Sequence, residues 1–144
     1  MAEVFLNEIL DFALALSREA GQLILPLWKN VVVESKVDGS EVTEADRGAE
    51  QLLRRRIAER YPHHAVLGEE FGGNCTHDAE HLWLLDPVGG TASFASLPLF
   101  GTLIGYLHRG EPQVGVIGAH ALGETVYASA GQGCIRRVRS ALQA

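Results

Sequence analysis

Asp86 stands at the end of an apolar run, Leu82 to Leu85, and is followed at once by Pro87-Val88-Gly89-Gly90-Thr91. The run reads as a buried strand that delivers a carboxylate at its C-terminal end, with Pro87 as its stop. Gly89 and Gly90 permit tight backbone turns, and Thr91 can open a helix-like segment. A carboxylate at a strand end, beside a turn with free carbonyls, suits a hard cation such as Mg²⁺. A plain strand, a Pro-Gly turn and a capping Thr explain the same residues without any ion, so neighbouring segments must decide.

Four segments bear on that choice. They are Lys36-Val37-Asp38-Gly39-Ser40-Glu41-Val42-Thr43-Glu44-Ala45-Asp46, Leu67-Gly68-Glu69-Glu70, Pro98-Leu99-Phe100-Gly101-Thr102-Leu103-Ile104 and Gly115-Val116-Ile117. In this order and spacing the chain resembles the inositol monophosphatase superfamily, the Mg²⁺-dependent phosphomonoesterases. That family's signature is G-E-E followed by W-x-x-D-P-[IL]-D-G-T-x-x-F, and Trp83, Asp86, Pro87, Gly90, Thr91 and Phe94 fall in place. The wording around Val42 to Arg47 and Pro98 to Ile104 is most similar to the histidinol-phosphatase branch. The resemblance runs from about Phe12 to Gly133.

The resemblance implies roles residue by residue. A first Mg²⁺ would take the carboxylates of Glu69 and Asp86 and the backbone carbonyl of Val88, whose side chain should be immaterial. Glu69 and the Thr91 hydroxyl, with Asp46 behind Thr91, would orient the attacking water. Asp46 also fits a simple helix cap, and both roles can hold at once. Gly90, Thr91 and Lys36 would lie on the phosphate side, although a lone Lys at a strand exit is more often just a surface residue. The second metal of the family needs an Asp where Gly89 stands and another Asp from a second domain. Other departures are Ser96-Leu97-Pro98, where a glycine is lost, and Gly118 and His120, where Asp and Pro are usual; together they read as relaxed constraint.

Family members are about twice as long, so the expectation is an N-terminal unit, residues 1–134, with a basic tail at 135–144 and no second domain. The implied function is hydrolysis of histidinol phosphate, or a related small polyol or sugar phosphate, by an impaired and truncated enzyme. The alternative is a non-catalytic member that binds phosphate or a partner subunit. A homodimer is usual for the family.

The elements that must position these residues follow from periodicity. Phe5, Ile9, Phe12, Leu16, Ala20 and Leu23 give a first helix, ended or kinked at Pro26. Val31-Val32-Val33 reads as a strand leading into Lys36. Thr43-Glu44-Ala45-Asp46 matches a capping box, and Ala49, Leu52, Leu53 and Ile57 supply the stripe of a second helix. Arg54-Arg55-Arg56 reads as a solvated face, and His63-His64 as a solvated helix end. Ala65–Leu67 is a short strand ending at Glu69, and residues 101–107, 113–117 and 124–128 form a meander. The fold class is therefore α+β, with helices packed on a largely antiparallel sheet.

Composition sets outer bounds. The 144 residues fit one domain, and the net charge of −6 disfavours nucleic acid. Two cysteines give no disulfide framework, which points to the cytoplasm. No run is long enough for a membrane span, and the N-terminus lacks a basic signal-like region. Cys75, His77 and His81 have C-x-H-x₃-H spacing, a faint zinc signal with no evident fourth ligand. Cys134 has no base near it in sequence.

Overall fold

The computed structural model describes residues 2–28, 34–35, 41–73, 78–90 and 100–139. Helix α1 spans Ala2–Ile24 and gives way to a 3-10 turn at Leu25–Leu27, where Pro26 cannot continue the α-helical bonding. Its buried stripe is Ile9, Ala13, Leu16, Ala20 and Ile24. Strands β1 (Glu34–Ser35) and β2 (Glu41–Val42) form a small antiparallel ribbon. Helix α2, Glu44–Arg60, opens with a capping box between Thr43 and Asp46 and buries Ala45, Ala49, Leu53 and Ile57. The expected strand at Val31-Val32-Val33 and the Cys75-to-His77 segment lie outside the described residues.

The main sheet has six strands in sequence order: β3 (Ala65–Gly68), β4 (His81–Gly89), β5 (Gly101–His108), β6 (Glu111–Ala119), β7 (Glu124–Ser129) and β8 (Cys134–Val138). β3 runs parallel to β4, and every later pair is antiparallel. Both helices pack on one face, over Trp83, Leu85, Ile104, Tyr106, Val116 and Tyr127. The α+β class and the meander thus stand as read from sequence. Among the described residues no helix is long and apolar enough to cross a membrane.

Two local expectations change. Pro87 does not end its strand: β4 continues to Gly89 through a bulge between Asp86 and Gly89. A bulge is a place where a strand tolerates a residue with no N–H. The first part of the segment read as a basic tail, residues 135–138, lies in β8 and pairs with β7 as the outermost strand. Arg136 there meets Glu124 across the pair at 2.6 Å.

Candidate metal centres

Parallel pairing of β3 with β4 brings the two predicted carboxylates to one place. Gly68 stands opposite Leu85, and the Glu69 N–H donates to the Leu85 carbonyl at 3.0 Å, so Glu69 leaves β3 beside Asp86. Both residues line an open depression of about 700 Å³ on the sheet face away from the helices, with Leu84, Leu103 and Ile117. The Val88 side chain is 1% exposed and belongs to the core. Gly90 adopts φ 86°, a left-handed conformation that favours glycine.

The loop bearing Glu69 is fastened from below by Glu50. This fully buried carboxylate accepts from the backbone N–H groups of Glu70, at 2.8 Å, and Phe71, at 3.0 Å. Arg54 donates to it at 3.0 Å and also reaches the Gly72 carbonyl. Gly68 is required here, because a Cβ would run into the Glu50 carboxylate. Arg54 is therefore a brace, not part of a solvated face. The i,i+4 spacing of Glu50 and Arg54 permits their pairing, but nothing in the sequence signals the loop that they hold.

A second brace reaches the bulge from β5. The Thr102 hydroxyl donates to the Pro87 carbonyl at 2.7 Å. Its one proton is thereby used, so His120 Nε2, 2.7 Å away, is the donor to that same oxygen. Burial pushes His120 down to about 4, which keeps the ring neutral near pH 7. A Cβ on Gly118 would stand 2.9 Å from the His120 ring, and one on Gly21 2.6 Å from it. The glycine at 118 and the histidine at 120 are thus matched in space, rather than two independent signs of relaxed constraint.

Asp46 is held as the capping residue. Its carboxylate accepts from the Thr43 N–H at 2.8 Å and the Thr43 hydroxyl at 2.5 Å. Thr91 and Lys36 lie outside the described residues. At Gly89, a Cβ would stand 3.5 Å from Asp86 Oδ2, beside the existing carboxylate, but 2.5 Å from Leu103 Cδ1. That methyl is the far end of a side chain 39% exposed, which can turn aside, so position 89 lacks a carboxylate by residue type and not for want of space. Hard oxygen donors from Glu69 and Asp86 fit a divalent cation, but no third acid, His or Cys completes a compact group with them among the described residues.

Another donor set lies at the opposite end of β4. Glu80, His81 and His108 place ligand atoms within 4.8 Å of one another. His81 and His108 face each other across the β4–β5 ladder, and their rings stack at 5.1 Å. His64 stacks on His81 at 4.2 Å and accepts from Trp83 Nε1 at 3.0 Å, so it is not a solvated helix end. Burial, then the neighbouring His81 and His63, pushes His64 down to about 4. The sequence placed His81 in a group with Cys75 and His77; it did not pair it with His108, which only hairpin register could reveal.

A model of the inositol monophosphatase family matches residues 6–141. The histidinol-phosphatase of Chlorobaculum parvum is 40% identical over 127 residues, which are 86% of this chain and 49% of that protein. The fructose-1,6-bisphosphatase/inositol-1-monophosphatase of Thermotoga maritima is 35% identical over 127 residues, 86% of this chain and 48% of that protein. A solved structure of an IMPase from Thermotoga maritima superposes with a TM-score of 0.84 at 35% identity, covering 90% of this chain and 51% of that one. The chain spans about half the length of the curated relatives it matches. These relatives carry different activity names at similar identity, so the resemblance establishes the superfamily and not the histidinol-phosphatase branch.

Proposed function

The chain belongs to the inositol monophosphatase family, and on that premise we propose that it carries the water-activating part of a Mg²⁺-dependent phosphomonoesterase site. The observation that supports this reading is the meeting of Glu69 and Asp86 in one depression, with the Glu69 loop fastened by Glu50. Glu69, Asp86 and the Val88 carbonyl would hold Mg²⁺, which supplies a more acidic water and a counter-charge for phosphoryl oxygens. Glu69 and the Thr91 hydroxyl orient the attacking water, and Asp46 steadies Thr91. Gly90 and Lys36 stand on the phosphate side. The substrate is a small phosphorylated metabolite, histidinol phosphate or a related polyol or sugar phosphate, met in the cytoplasm by a homodimer.

Activity in this chain is impaired in the same proposal. Gly89 supplies no carboxylate beside Asp86, where one would balance the leaving oxygen. That observation also favours the second reading, a member that binds phosphate or a partner subunit without turnover. Phosphate release from histidinol phosphate, with and without Mg²⁺, separates the two. The expected result is slow, Mg²⁺-dependent release, ~10³-fold or more below a full-length relative, as loss of one strong charge stabiliser implies. Glu69→Gln should abolish it, and Gly89→Asp should not restore full turnover. Release that ignores Mg²⁺ or survives Glu69→Gln would overturn the catalytic reading.

A further inference from the structure

We propose that Glu80, His81 and His108 form a binding site for a divalent transition-metal ion, Zn²⁺ or Ni²⁺ in class, separate from any Mg²⁺ at Glu69 and Asp86. Asp86 lies five positions beyond His81 on β4, about 17 Å along an extended strand. Strand parity also puts them on opposite faces, because His81 shares the side of Trp83 and Leu85, while Asp86 shares that of Leu84. The two donor sets cannot serve one ion or one binuclear centre.

The donor chemistry selects the ion. Two imidazoles and a carboxylate suit Zn²⁺, Ni²⁺ or Cu²⁺, whereas Mg²⁺ prefers oxygen ligands and water. The spacing is close to what such an ion needs. His108 Nε2 and Glu80 Oε1 are 3.5 Å apart, and ligands at tetrahedral zinc distances sit about 3.3 Å from one another. His81 Nδ1 is engaged with the Tyr106 hydroxyl at 2.6 Å, which leaves Nε2 as the ligand atom. A ligating histidine commonly holds its other ring nitrogen in such a bond, which fixes the ring.

The surrounding structure holds the donors in place. The β4–β5 register sets His81 opposite His108. The Arg109 N–H donates to the Glu80 carbonyl at 2.8 Å and fixes the backbone of the third ligand. Phe5 packs edge-on against His81, and His64 stacks on His81 at 4.2 Å. One charged group competes: the Arg109 guanidinium is 3.2 Å from Glu80 Oε1 and is largely exposed, so it can swing aside when a cation enters.

The test uses the full chain with Cys75→Ser and Cys134→Ser, which removes thiolate binding, and Zn²⁺ alone as the probe. Calorimetry at neutral pH should show one Zn²⁺ per chain and a rise in thermal midpoint. His108→Gln and His81→Gln should each weaken binding by at least ~10-fold, and Tyr106→Phe by about 10-fold through loss of the ring's anchor. Mg²⁺ should not compete for the site. If His81→Gln fails to fold, Glu80→Gln and His108→Gln, both at partly exposed positions, carry the comparison. Absence of Zn²⁺ binding, or binding unchanged in His108→Gln, would overturn the proposal. Neither outcome depends on phosphatase activity.

Discussion

The two faces of the main sheet are built from the same residue types and meet different fates. On the helix side Trp83, Leu85, Ile104, Tyr106 and Val116 are buried under α1 and α2. On the other side Leu67, Leu84, Leu103 and Ile117 remain 36–46% exposed around the depression that holds Glu69 and Asp86. Each strand alternates its side chains between the two, so sequence pattern alone makes both faces look like core. The difference teaches where stability and chemistry are stored. The covered face supplies the packing energy, and the open face presents the carboxylates.

The sharpest way to break this comparison is a pair of neighbours on one strand. Leu85→Ala should cost about 3–4 kcal/mol through lost burial and a residual cavity. Leu84→Ala, one residue earlier and on the open face, should cost under about 1 kcal/mol. Urea unfolding of both variants decides the matter, and equal losses would mean that the open face is packed in solution.

Glu50 links the two faces, since it rises from α2 to fasten the Glu69 loop. Glu50→Ala strands Arg54 and leaves the Glu70 and Phe71 N–H groups without their acceptor, a loss of about 3 kcal/mol. Amide exchange should rise at Glu70 and Phe71 more than in the β5–β6 ladder. Uniform exchange across both regions would remove Glu50 as a local brace.

Smaller effects follow from pH. His64 and His120 have folded values near 4, below the ordinary 6.5, so the unfolded chain binds more protons between those limits. Their contribution to stability is complete above about pH 6.5 and is lost as pH falls towards 4. His120→Asn and His64→Gln should each flatten the decline of the thermal midpoint across that window. A decline identical to that of the parent protein would show that both rings accept protons without strain. On the open face, Leu103→Lys with Ile117→Lys should reduce self-association and apolar dye binding while leaving the midpoint nearly unchanged.

Much of this architecture is legible in the sequence because local rules act on it directly. Ile9, Leu16 and Ala20 of the first helix, the Thr43–Asp46 capping box and the three-strand meander follow from periodicity and capping alone. Ala13 and Ile24 are fully buried where that periodicity points to Phe12 and Leu23, and those two are only partly covered. The bulge at Pro87 was not legible, because whether a proline ends a strand or sits in a bulge depends on the partner strand's register. The same limit hid the pairing of His81 with His108, residues 27 positions apart that meet only once β4 and β5 align. Glu50 could be paired with Arg54 by spacing, but its hold on Glu70 and Phe71 comes from packing α2 under the end of β3.

The most direct test of the central claim asks whether Glu69 and Asp86 act together on one ion. Calorimetric titration with Mn²⁺, a stand-in for Mg²⁺ in an oxygen site, should be run on the parent chain, Glu69→Gln and Asp86→Asn, each in a His108→Gln background that disables the imidazole set. The account predicts one weak site in the parent, lost in both carboxylate variants. Equal binding by all three proteins would contradict it and remove the paired carboxylates from the metal chemistry of this chain.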